Sequence, residues 1–101
     1  MRLTAFVSLL EVHIHQGQSR GLKEKRKLVQ SLKAQIRQRF GASVAEIGGH
    51  DTWQSTVLLC ALVGDSTVGA RTDDLSRFVE SRCLDGCSFE RDLLSLEDVR
   101  G

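Results

Sequence analysis

The chain has 101 residues, 41% apolar and 27% charged, which suits one globular domain, residues 1–101, built around a single two-layer core. No segment approaches the roughly 18 consecutive apolar residues that a membrane-spanning helix needs, so no membrane association is expected. The formal net charge is only +1, so a strongly charged surface can arise only by segregating the two signs along the chain.

The opening Arg2 followed by Leu3 to Leu10 mimics a signal peptide, but Glu11 and His13 interrupt the apolar run and no small-residue cleavage site follows. Leu3 to Ile14, rich in Val, Ile, Leu and Phe, therefore reads as a first strand. A polar, glycine-bearing loop follows over Gln16 to Gly21. Leu28, Val29, Leu32, Ile36 and Phe40 then recur at helical spacing and predict a helix over Leu22 to Phe40 with one apolar face, stopped by Gly41. Ala42 to Ile47 reads as a second strand, Gly48 to Thr52 as a turn, and Trp53 to Val63 as a third strand. Asp65 and Ser66 introduce a second helix over Thr67 to Arg82, with Leu75, Phe78 and Val79 inward. Asp85 and Gly86 make a turn, Cys87 to Leu96 reads as a fourth strand, and the last residues as a frayed tail.

The order β-α-β-β-α-β is that of the ferredoxin-like α+β sandwich. Right-handed crossovers place both helices on one face of a four-stranded antiparallel sheet. In the third strand Leu58, Cys60 and Leu62 alternate with Val57, Leu59, Ala61 and Val63, so both sheet faces are apolar there. Helices cover one of them. A second copy of the chain is the expected cover for the other, which makes a homo-oligomer the expected state.

Charge is strongly segregated. Between residues 20 and 40 stand Arg20, Lys23, Lys25, Arg26, Lys27, Lys33, Arg37 and Arg39 against Glu24 alone, whereas the rest of the chain has six basic and twelve acidic residues. On a helical wheel Lys23, Arg26, Lys27, Lys33 and Arg37 share a side away from Leu32 and Ile36. Such a stripe attracts phosphates. The cations near the helix start oppose the helix dipole at a cost of a few tenths of a kcal/mol each, which a docked anion would relieve.

The segment Gly21 to Gln54 resembles the YlxP-like family, domain of unknown function 503. The likeness rests on Leu22, Lys23, Glu24, Lys25 and Arg26 at the helix start, Arg39 and Phe40 at its end, Val44, Ala45 and Glu46 in the next strand, and Asp51, Trp53 and Gln54 in the hairpin. The family's Ser before Leu-Lys-Glu is Gly21 here, which removes half of a capping box. The resemblance implies a ferredoxin-like fold and a small bacterial cytoplasmic protein. It does not imply an activity; the gene neighbourhood of the family points to translation, and so to RNA or ribosomes.

Four functions compete. A non-catalytic RNA- or ribosome-binding module would use Arg20, Lys23, Lys25, Arg26, Lys27, Lys33 and Arg37 for phosphate contacts. It would not stack bases on the sheet, because the third strand has no aromatic residue from Thr56 to Val63. An acylphosphatase-like enzyme would use Arg20 to cradle phosphate, but the chain has no Asn to position water. A metal site could draw on His13, His15 and His50 beside Asp51, although histidines at strand ends are more often plain surface residues. No cofactor is expected. A protein-interaction module would use the open sheet face, with Glu24, Glu46, Asp51, Trp53 and Gln54 as a structural or interface constellation around the hairpin. Cys60 reads as a core residue; Cys83 and Cys87 could bridge or help bind a metal, with reduced cytoplasmic thiols as the default where no signal peptide is read.

Overall fold

The computed structural model describes residues 4–16, 21–49, 54–83 and 85–101. Strand β1 (Phe6–His15) is followed by helix α1 (Gly21–Phe40), strands β2 (Ser43–Gly48) and β3 (Ser55–Gly64), helix α2 (Val68–Arg82), strand β4 (Cys87–Ser95) and a short helix α3 (Leu96–Arg100). The strands form one antiparallel sheet in the order β2-β3-β1-β4. This is the ferredoxin-like α+β sandwich expected from the element order.

The period-2 alternation of the central strands sets which side is buried. Leu10 pairs with Cys60 and Val12 with Leu58, and all four are fully buried. Val29, Leu32 and Ile36 of α1 and Val68, Leu75 and Val79 of α2 pack over them in one core. The core holds a polar contact between β1 and α2. Thr72 Oγ1 lies 2.7 Å from Ser8 Oγ and 2.8 Å from the Val68 carbonyl. A carbonyl can only accept, so Thr72 donates its single hydroxyl proton there and accepts one from Ser8.

Two differences from the sequence reading concern the chain ends. The described strand starts at Phe6, with Leu96 N–H still donating to the Ala5 carbonyl at 3.0 Å one step beyond the last β1–β4 pair, and Leu3 lies outside the described residues. The last residues form α3 rather than a frayed tail. Ser95 accepts from the Asp98 N–H, while the Asp98 carboxylate accepts from the Ser95 N–H. That reciprocal cap satisfies two donors that a helix start otherwise leaves open.

In β2 the register shifts between Glu46 and Gly48, a bulge that inserts Ile47. The chain then turns through Gly49, at φ 77°, where a side chain would collide with the Ser55 carbonyl. Only glycine fits that approach. On the far side of the base of this hairpin, Gln16 N–H donates to the Gln54 carbonyl at 2.8 Å and ties it to the end of β1.

Candidate nucleic-acid interface

Helix α1 buries Lys25, Val29, Leu32 and Ile36 along one stripe and turns its opposite side outward. Lys23, Arg26 and Lys27 are exposed there and Lys33 is half-buried. None of these four makes an ion pair among the described residues. Amphipathic spacing thus delivers a row of cations, about 15 Å from Lys23 to Lys33 at 1.5 Å per residue. Gly21 opens the helix at φ 81°, in the left-handed region that glycine adopts without strain.

Two of the cations expected to contact phosphate are engaged elsewhere. Lys25 is 3% exposed and its ammonium donates to the Gly49 carbonyl, so it leaves the basic surface and braces the β2–β3 hairpin. Arg37 is exposed, but its guanidinium donates to the Val44 carbonyl at 2.8 Å, capping a backbone acceptor of the edge strand β2. Arg20 lies outside the described residues, as do His50, Asp51 and Trp53. Glu24 is exposed. Glu46 stands in register with the buried Leu58 and so falls on the helix side of the sheet. Gln54 is exposed, with its backbone carbonyl in the contact to Gln16.

Further arginines organise the C-terminal ends of the helices. Arg71 donates to the Phe40 carbonyl at 2.9 Å and to the Val63 carbonyl at 3.2 Å, linking the end of α1 to the end of β3. Arg39 and Arg82 hold their guanidinium carbons 4.8 and 4.9 Å from the centre of the Phe78 ring. The sign of this charge suits helix C-termini, and the Phe78 ring anchors both side chains where the two helices end. Nothing in the spacing of Arg39 announces this; it depends on where α2 crosses α1.

On the open sheet face Val7, Leu9, Val57, Leu59 and Ala61 are half-buried and Val63 is 69% exposed. Phe6 and Phe89 point to the helix side and pack on the core, so this face carries no aromatic ring among the described residues. Glu11 stands directly opposite Glu90 across the β1–β4 pair. His13 Nε2 lies 2.9 Å from Glu11 Oε2. The hydrogen bond with His13, and after it that with Glu90, holds the Glu11 carboxyl below its ordinary value. The sequence alone carries no signal of this trio, because only strand register brings Glu90 there. His15 is exposed. Among the described residues no three His, Cys, Asp or Glu side chains are grouped to hold a metal ion, and no helix is long and apolar enough to cross a membrane.

An α+β sandwich with a cationic helix and a bare sheet face defines the structural class. Residues 7–86 match the family model described as protein of unknown function (DUF503), and the chain belongs to that family. It is 40% identical over 47 residues to the uncharacterized protein YlxP of Bacillus subtilis (strain 168). That match covers 46% of this chain and 51% of the relative, so the chain matches about half the length of this curated protein. The fold also resembles the de novo designed protein Foldit4, with a TM-score of 0.53 at 11% identity over 88% of this chain and 94% of the other. This likeness concerns the fold alone.

Proposed function

We propose that the protein is a non-catalytic bacterial binding module that docks on RNA, free or within the ribosome, through phosphate contacts along α1, in the cytoplasm. The observation that carries this reading is the outward row Lys23, Arg26, Lys27 and Lys33, with no carboxylate pairing among the described residues. An exposed cation row contributes sequence-independent affinity through counterion release. Base stacking on the sheet is not part of the proposal, since the open face has no ring among the described residues. Catalysis is not part of it either: the chain has no Asn for an acylphosphatase-like water.

The test is affinity for ribosomal subunits and for total RNA at two salt concentrations. Four phosphate contacts to single-stranded RNA predict roughly fiftyfold weaker binding at about 200 than at about 50 mM salt. Absence of binding at the lower salt would overturn the proposal.

A second reading is compatible with the first. The bare face lined by Val7, Leu9, Val57 and Leu59, with Val63 exposed, favours association of two copies through their sheets. Sedimentation velocity across a concentration series tests it. A monomer at all concentrations, or a dimer unaffected by Leu59→Glu, would overturn this reading.

A further inference from the structure

The corner between α2 and β4 brings two of the three cysteines together. Cys83 ends α2 and is buried in the core, and Cys87 opens β4, half-buried against the same core. The Gly86 N–H donates to the Cys83 carbonyl at 3.2 Å, which reverses the chain tightly between them. Cys87 pairs with Ile14, whose side chain is buried beneath the helices. The Cys87 side chain therefore falls on the side of the sheet that Cys83 occupies. Both side chains thus pack on one core at this corner. Cys60 sits apart from them in β3, fully buried.

We propose that Cys83 and Cys87 form a dithiol site that closes to an intramolecular disulfide by exchange with a low-molecular-weight disulfide. Cys87 is the thiol that solvent reaches. As the thiolate it attacks one sulfur of the small disulfide, breaking that S–S bond and releasing one small thiolate. Cys83 then gives up its proton to solvent and attacks the Cys87 sulfur, releasing the second small thiolate as the Cys83–Cys87 bond forms. The two cysteines lose two electrons and two protons in all, and the small disulfide is reduced to two thiols.

The surroundings set the pace of this chemistry. Burial, with the neighbouring Cys87 thiol adding to it, pushes the Cys83 thiol up to about 12. Burial also raises Cys87, against a lowering contact from Cys83. Thiolates are the attacking species, so closure is slow near neutral pH and quickens as pH rises. The site responds to a sustained shift of the thiol pool. The bond ties α2 to the edge strand β4 at the corner that holds Cys83, and uses none of the outward cations of α1.

The test uses the intact, folded chain with excess glutathione disulfide at about pH 8.5, near the ordinary thiol pKa. The reaction is quenched with acid, and free thiols are alkylated in denaturant before trypsin digestion. Cleavage after Arg82 and Arg91 releases both cysteines in one peptide, residues 83–91. The expected result is that this peptide is lighter by two hydrogen atoms and unalkylated, becomes doubly alkylable after reduction, and that the Cys60 peptide stays alkylated. A peptide recovered with both thiols alkylated, or with glutathione on Cys87 and alkylated Cys83, would overturn the proposal.

Discussion

Lys25, buried in the second turn of α1, donates its ammonium to the carbonyl of Gly49 in the β2–β3 hairpin. The two residues are 24 positions apart. Their contact makes a cation that reads as a candidate phosphate contact into a brace between helix and sheet. Lys25→Met should therefore lower stability by about 1–3 kcal/mol, because the Gly49 carbonyl loses a buried donor. The salt dependence of RNA binding should be unchanged. Urea unfolding and the salt series check the two halves separately, and a reduced salt slope would return Lys25 to the binding surface.

The outward cations should behave in the opposite way. Arg26→Glu combined with Lys33→Glu is expected to abolish RNA binding while shifting stability by less than about 0.5 kcal/mol, the usual range for surface changes. Affinity that survives this double reversal in a folded protein would remove α1 from consideration as the RNA-binding element.

The buried Ser8–Thr72 pair lends itself to a double-mutant cycle. Thr72→Val strands the Ser8 hydroxyl in the core and should cost about 1–3 kcal/mol. Adding Ser8→Ala removes the stranded donor, so the double variant should be more stable than the Thr72→Val single variant. Strict additivity, measured by denaturant unfolding, would mean that the two hydroxyls are not coupled.

Acid should act through Glu11. Its folded-state pKa lies below the ordinary carboxylate value, first through the hydrogen bond with His13 and then through that with Glu90. A depressed carboxyl contributes stability above its unfolded pKa and loses it as pH falls through the folded value. Stability should thus decline on acidification below about 4.5, the unperturbed value, and Glu11→Gln should flatten that part of the curve. A thermal-melt series from acid to neutral pH reads this, and parallel curves for the two proteins would refute it.

Much of the fold was legible because it rests on local periodicity. The spacing of Leu28, Val29, Leu32 and Ile36 demands a helix with one apolar side, and alternation through Leu58, Cys60 and Leu62 demands a strand with a buried side. The element order then restricts the topology to few alternatives. The reciprocal cap of Ser95 and Asp98 is written in the sequence too, in the spacing of a polar N-cap and an acid three residues on, yet the end of the chain reads as a tail. A pattern of one turn carries little weight beside periodic segments.

The sequence by itself determined the element order, the two-sided apolar third strand and the clustering of cations on α1, since each depends on neighbours within a few residues. Tertiary structure decided which cations are engaged. Lys25 is buried against the hairpin, while the exposed Arg37 and Arg39 are held by the Val44 carbonyl and the Phe78 ring. It also decided that Glu11 faces Glu90 and that Cys83 and Cys87 pack on one core. The physical reason is the same in each case: a long or polar side chain takes its partner from whatever backbone or ring the packing brings within reach, and that distance is set by register and helix crossing rather than by sequence separation.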